Sequence, residues 1–333
     1  MEGKKAFHLK KSQPEEYRFL HHRHPPEESR PRMAEDPRLE PVMRALKSIH
    51  SSTSPDSMDP EDLERQRAGQ ELLGHLVSPR KGISWEPFDL CGMPAAWARP
   101  KRRMDARRVI LYCHGGGYTS GNLGYSRPLA SKLADVTGRE VLCFEYRLAP
   151  EHPYPAAVED ALKAWDYLMY LGYGARDVAV AGDSAGGNLA LVLCHRLKAD
   201  RRRLPARLVL MSPWTDMTMT GQSYKARADI DPMLTADYIK AVRQVYAVDH
   251  NLTDPTLSPL LGDLKDFPST LIQVGSNEIL YSDSVRLRDR FHRAGVLCRL
   301  QVWKDMWHVF QMFPMHKADL AMEQAGDFLV EEL

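Results

Sequence analysis

The stretch DVAVAGDSAGGNLALVL, residues 177–193, decides the fold. Its first part, DVAVAG, has the short, β-branched and small composition of a buried strand. Its second part opens a long segment whose apolar residues recur at helical spacing. Between the two, Gly182 and Gly186 bracket Ser184 in the spacing G-x-S-x-G. A bulky residue at either glycine would crowd a tight strand-to-helix turn, and the serine hydroxyl is left at its tip.

Outward from this turn the same alternation repeats. ISWEPFDL and AAWARP read as two adjacent strands. They are followed by the apolar runs RVILYC (108–113), VLCFEY (141–146), ARLVLMS (206–212), STLIQVG (269–275) and LCRLQVW (297–303). Helical patterns separate most of them: SRPLASKLADVTG, PAAVEDALKAWDYLMYLG, SVRLRDRFHRAG and KADLAMEQAGDFLVEEL. Short apolar strands alternating with helices predict a mostly parallel sheet with helices on both faces. One interval breaks the pattern. Residues 215–262 hold the helical stretch LTADYIKAVRQVYAV among several aromatic and methionine side chains, an insertion placed to act as a lid or cap over the sheet.

The first 80 residues differ in composition. Residues 1–32 are rich in Pro, Glu, Arg and His and read as a disordered extension; His21, His22 and His24 there lack an acidic or cysteine partner at ligand spacing, so no metal is expected. Residues 33–80 carry two helical signals. DPRLEPVMRALKSIH spaces Leu39, Val42, Met43 and Leu46 as a helix does, and DPEDLERQRAGQELLGHL opens with Asp59 and Pro60 as a helix start. Residues 81–333 read as the α/β domain itself, with the preceding helices joining the 215–262 insertion to roof it.

The chain has 333 residues, enough for one large α/β domain and a sizeable core. Forty-five Lys and Arg balance 44 Asp and Glu, which argues against a nucleic-acid partner; the run Arg201–Arg203 reads as a solvated helix end. The five cysteines are widely spaced, match no metal-ligand pattern and suit buried reduced thiols. With no apolar leader at the N-terminus and no window long enough to span a bilayer, the expectation is a cytoplasmic protein without an integral membrane segment.

Ligands of open parallel sheets bind beyond the carboxyl ends of the strands. Four chemically distinct items follow four strands: His114-Gly115-Gly116-Gly117 after RVILYC, Asp183-Ser184-Ala185 after DVAVAG, Glu278 after STLIQVG, and His308 after LCRLQVW. A serine hydroxyl needs a base to become a nucleophile, and His308 can accept its proton near neutral pH and later deliver it to a leaving group. Glu278 can hold the other ring nitrogen and stabilise the imidazolium. Backbone N–H groups of Gly116, Gly117 and Ala185 can converge on an oxyanion. The rivals are Asp283, at the start of a helix whose dipole it suits, and Asp305, three residues before His308; for the base they are His292 and His316, both in helical segments. HGGG lacks the spacing of a nucleotide-binding loop, so no nucleotide cofactor is expected.

These motifs together resemble the hormone-sensitive-lipase-like (family IV) α/β-hydrolase carboxylesterases. The resemblance spans roughly residues 80–333. HGGG at 114–117 matches the family's oxyanion motif, GDSAGG at 182–187 its serine elbow in the GDSAG variant, and YRLAPEHPYPAA at 146–157 and SPWTD at 212–216 two further signatures. It implies the α/β-hydrolase fold, a mostly parallel eight-stranded sheet with helices on both faces and a helical cap. It also implies hydrolysis of short- to medium-chain carboxylic esters through an acyl-enzyme, without metal or cofactor. The roles it carries over are Ser184 as nucleophile, His308 as base, Glu278 as orienting acid, and Gly116, Gly117 and Ala185 as oxyanion donors. Two positions depart from the pattern: Glu278 stands where Asp in a D-P-L context is more frequent, and Val309 follows His308 where Gly is frequent.

A serine carboxylesterase acting on small esters is the leading expectation. A non-catalytic small-molecule binder and a peptidase or amidase on the same fold are the alternatives; all three triad members and the HGGG loop weigh against them. Trp214, Met217, Met219, Tyr224, Met233, Tyr238 and Tyr246 are candidates for an adaptable apolar pocket wall or for packing beneath it. Family analogy sets the acyl preference at about eight carbons or fewer. A homodimer through the LCRLQVW edge strand would also fit the family.

Overall fold

The computed structural model describes residues 43–44, 46–47, 58–76, 80–105 and 107–331. The extension at 1–32 and its histidines, and residues 33–42 (with Leu39 and Val42), 45, 48–57 and 77–79, lie outside the described residues. Eight strands form one sheet: β1 (Ile83–Asp89), β2 (Pro94–Pro100), β3 (Val109–Cys113), β4 (Glu140–Phe144), β5 (Val178–Asp183), β6 (Arg207–Met211), β7 (Ser269–Gly275) and β8 (Cys298–Trp303). Their spatial order is β1-β2-β4-β3-β5-β6-β7-β8. The pairs β1–β2 and β2–β4 are antiparallel, and every other pair is parallel.

Burial follows position in the sheet. Strands β3, β4, β5 and β6 are buried at every residue, which explains why they are apolar apart from Glu140, Asp183 and Arg207 at their ends. The outer strand β1, ISWEPFD, mixes polar with apolar residues because it lies at the edge. Successive side chains of the inner strands point to opposite faces and feed two cores. Val109, Leu111, Val178 and Val180 pack with α3 (Ala156–Tyr170), α4 (Ala185–Ala199) and α6 (Tyr281–Arg293). Ile110, Tyr112, Ala179 and Ala181 pack with α2 (Leu123–Thr137) and α7 (His316–Val330). Helices therefore cover both faces, as the alternation predicts.

Over the carboxyl ends of the strands lie α1 (Pro60–Leu76) and α5 (Ala236–Ala247). Asp59 caps α1 by accepting from Asp62 N at 3.0 Å, and Thr235 caps α5 by accepting from Tyr238 N at 3.0 Å. The two helices join where Gln66 donates to the Tyr238 hydroxyl. Arg67 then fixes α1 to the loops below through Thr119 O (2.9 Å), Ala149 O (3.2 Å) and a two-pronged pair with Glu151. Met43 and Leu46 are buried against Met306, Trp307 and Phe310. Cys113, Cys143, Cys194 and Cys298 are buried free thiols, and Cys91 is an exposed one. Among the described residues no helix is long and apolar enough to cross a membrane.

Candidate active site

Ser184 stands at the tip of the β5–α4 turn with φ 53° and ψ −119°, a conformation L-residues rarely adopt. The turn is held by Ser184 N donating to Met211 O (2.9 Å) and by Trp214 N donating to Ser184 O (3.1 Å). The two bracketing glycines are sterically required. A Cβ on Gly182 would lie 2.3 Å from Gly186 O, and one on Gly186 only 2.0 Å from Cys113 O. The strand thus turns into the helix with backbone against backbone, and the serine is left facing the opening.

The loop after β3 is set by Asp183, the residue before the serine. Its buried carboxylate accepts from Gly115 N (2.9 Å), from the Tyr125 hydroxyl (2.7 Å) and from the Tyr112 hydroxyl. Burial raises its pKa above the ordinary carboxylate value, and these donors oppose that rise. The loop then runs through Gly116 (φ 107°) and Gly117 (φ 64°), and it turns back as Thr119 N and Ser120 N donate to Gly116 O. A side chain at Gly116 would meet Ser120 O at 2.3 Å, so glycine is required there by both conformation and space. Ala185 is the first residue of α4 and is fully buried. His114 is buried, stacks on Tyr146 at 4.1 Å and faces Gly115 O with its Nδ1 at 2.7 Å. Burial lowers its pKa to about 4, so it is a neutral packing group at physiological pH.

Glu278 and His308 meet: Glu278 Oε2 lies 3.1 Å from His308 Nδ1. The other carboxylate oxygen accepts from Ser212 Oγ (2.8 Å) and Gly275 N (2.5 Å). Ser212 Oγ also accepts from Val309 N at 3.1 Å, so one hydroxyl links the acid loop to the histidine loop. Val309 takes a left-handed backbone, φ 50° and ψ 38°, which suits glycine and strains a β-branched residue.

The rival residues are otherwise engaged. Asp283 lies in the first turn of α6, where its charge suits the helix dipole as its sequence position implies, and it is fully buried. It accepts from Thr215 N (2.8 Å) and Asp216 N (3.0 Å), and burial pushes its pKa up to about 7. Asp305 is joined to Ser276 through its backbone N–H. His292 lies in α6 beside Cys298 O, and His316 is the first residue of α7.

Ser184, His308, Gly116 and Gly117 line one cavity of about 50 Å³. Of the aromatic and methionine candidates, Trp214, Met233 and Tyr238 line it, joined by Leu234, Ile239, Val309, Met312 and Phe313. Met217, Tyr224 and Tyr246 pack in the core instead, with Met219 against it; Tyr246 stacks on Tyr118 at 3.8 Å.

Four positioning residues are invisible to motif reasoning. Asp183 and Ser212 lie within recognised motifs, but nothing in their spacing reveals their partners. Asp231 joins the insertion to the acid loop by accepting from Met233 N, Leu234 N and Ile279 N, and burial pushes its pKa up to about 6. Lys132 reaches from α2 to Gln311 O (2.8 Å) and Phe313 O (2.9 Å), the carbonyls flanking the cavity residue Met312. No sequence signal marks either residue.

Residues 110–312 match the α/β hydrolase fold family. An esterase of Acinetobacter venetianus is 39% identical over 244 residues, covering 73% of this chain and 80% of that protein. An acetyl-hydrolase of Streptomyces hygroscopicus is 35% identical over 298 residues, covering 88% and 96%. Among solved structures, an esterase from the bacterial hormone-sensitive lipase family superposes with a TM-score of 0.83 at 34% identity, covering 89% of this chain and 98% of that one. The chain belongs to the α/β hydrolase fold family and, within it, to the hormone-sensitive-lipase-like carboxylesterases.

Proposed function

We propose that this carboxylesterase cleaves short-chain esters by a serine mechanism, with Ser184 as nucleophile, His308 as base and Glu278 as orienting acid. One observation carries the reading: Ser184 and His308 line the same small cavity, and Glu278 is bonded to the far nitrogen of that histidine. In the first half-reaction Ser184 Oγ attacks the ester carbonyl carbon while His308 takes its proton. The oxyanion that forms faces the N–H groups of Gly116, Gly117 and Ala185, each such donor contributing about 3 kcal/mol to lowering the barrier. Collapse breaks the bond to the alcohol oxygen, which leaves with the proton returned by His308. Water then attacks the acyl-enzyme by the same route and releases the carboxylic acid. Glu278 does not take the proton; it fixes the ring and stabilises the imidazolium.

The cavity supports a tighter limit than family analogy. At roughly 10–15 Å³ of such volume per water, a space of about 50 Å³ takes about three to five non-hydrogen atoms. An acetyl or butyryl group fits; an octanoyl group requires the wall to move. The name of the Streptomyces relative, an acetyl-hydrolase, agrees with this size. We assign α1 and the 215–262 insertion to the cap, on the strength of Gln66, Tyr238, Leu234 and Ile239 gathering above the serine. The buried free thiols favour a reducing compartment such as the cytoplasm.

A panel of p-nitrophenyl esters from two to twelve acyl carbons, run on wild type and Ser184→Ala, tests the proposal. The expected result is a maximum at two to four carbons and a loss of at least about a thousandfold in the variant. Ester turnover retained by Ser184→Ala would overturn the mechanism, and activity rising toward twelve carbons would overturn the size limit.

A further inference from the structure

The cap carries a polar side chain at the cavity whose carbonyl oxygen has no partner among the described residues. Gln66 and Gln70 stand four residues apart on α1, hence on one face of the helix. Gln66 is committed to Thr119 and Tyr238. Gln70 lines the cavity with Ser184 and His308, and its buried Oε1 has no hydrogen-bond partner among the described residues. The two phenols in the same wall are committed: Tyr125 donates to Asp183, and Tyr238 receives Gln66. Gln70 therefore brings to the cavity wall a carboxamide whose oxygen has no partner among the described residues, as the Trp214 Nε1 beside Ser184 has none.

Its position indicates which half of the substrate it meets. Gln70 also lines a wider surface cleft of about 640 Å³. The inner cavity has room for a short acyl group only, so the alcohol half must extend outward past Gln70. That cleft is lined mainly by polar side chains, among them Arg67, Asn122, Glu145 and His152, so it suits a hydroxylated alcohol better than an aliphatic one. A carboxamide can accept from a hydroxyl or, turned over, donate to it.

We propose that Gln70 is a specificity-determining residue that hydrogen-bonds a hydroxyl on the alcohol half of the ester, so that the preferred substrates are short-chain monoesters of diols and polyols. The proposal rests on the esterase reading above and narrows it.

The test compares 2-hydroxyethyl acetate with n-propyl acetate, equal in heavy atoms and differing by one hydroxyl, with acid release followed by pH-stat. Wild type is expected to favour the hydroxyethyl ester in kcat/KM by about three- to tenfold, mainly through KM. In Gln70→Met, which keeps the length of the side chain, the ratio should fall to about one, and Gln70→Ala should show the same loss. A ratio of one or below in wild type overturns the proposal, and so does a ratio unchanged in both variants. The first of these needs no variant to fold. A parallel pair, ethyl 3-hydroxybutyrate and ethyl butyrate, places the hydroxyl on the acyl side; dependence on Gln70 confined to that pair overturns the assignment to the alcohol half. Absence of any Ser184-dependent hydrolysis of either acetate is a different failure, that of the esterase reading itself.

Discussion

Asp183 beneath the cavity and Gln70 above it are both polar side chains at the edge of one site, yet among the described residues Asp183 accepts three hydrogen bonds and the Gln70 carbonyl accepts none. The contrast extends to their surroundings. The floor is a network of backbone amides, two tyrosines, Ser212 and two carboxylates, in which glycines allow main chain to touch main chain. The roof over the cavity is mostly methionine, leucine, isoleucine and aromatic surface, tied down by Gln66 and Arg67. A reaction common to many esters needs a floor whose dipoles are set before the substrate arrives. Choice among esters needs a roof that differs from relative to relative, and apolar packing tolerates such change better than a satisfied polar network does.

The largest expected effect tests the floor against the roof directly. Asp183→Ala leaves Gly115 N–H and two tyrosine hydroxyls without an acceptor in a buried place. It should destabilise the protein by about 3 kcal/mol or more and lower kcat by about a hundredfold as the oxyanion loop drifts. Gln66→Ala in the roof should cost about 1 kcal/mol and act mainly on KM. Denaturant unfolding and steady-state kinetics on the two variants decide it, and equal effects would break the comparison.

A second, intermediate effect concerns the joint between the two regions. Asp231 and Asp283 hold the 215–262 insertion to the floor, and burial raises their pKa values to about 6 and about 7. In the unfolded chain both titrate near the ordinary value of about 4. Between these values the folded state binds more protons than the unfolded one, so this contribution to stability is full below about pH 4 and lost as pH rises through 6 to 7. Wild type should therefore lose more stability than Asp283→Asn between pH 5 and pH 8, by on the order of 1–3 kcal/mol. Unfolding curves of both proteins at the two pH values measure the difference, and parallel pH dependence would exclude Asp283 as its source.

The smallest effect is expected at Val309, where floor and roof meet. Val309→Gly removes a buried side chain worth about 1.5–2 kcal/mol of transfer free energy and relieves backbone strain of about 1–3 kcal/mol. The net change in stability should be within about 1 kcal/mol, while the acyl range widens toward six or eight carbons. The ester panel and a thermal melt read both quantities.

The sheet was legible in the sequence because its inner strands are buried on both faces and so read as predominantly apolar runs. STLIQVG coincides residue for residue with β7. The strand-end rule then narrowed the chemistry to four loops, and the structure brings Ser184, His308, Gly116 and Gly117 to one cavity and Glu278 against His308. The supports were not legible. Asp231 and Lys132 act through contacts across 48 and 179 residues of chain, and Gln70 shares a cavity with residues more than 100 positions away; no local spacing encodes such a meeting. The place of Asp283 at a helix start was legible because it is local information, whereas its burial and its bonds to Thr215 and Asp216 were not. The aromatic and methionine candidates divided between wall and core for the same reason: composition marks a side chain as apolar without saying which way it faces.

Val309 gives the family member an unusual evolutionary position. Widening an active site ordinarily sacrifices folding free energy, which forces a lineage through a weakened intermediate. Here the side chain that narrows the cavity sits on a backbone better suited to glycine, and valine codons become glycine codons by a single base change. If Val309→Gly behaves as expected above, a broader diet of esters and the return to a narrow one are each a single nearly neutral mutation apart.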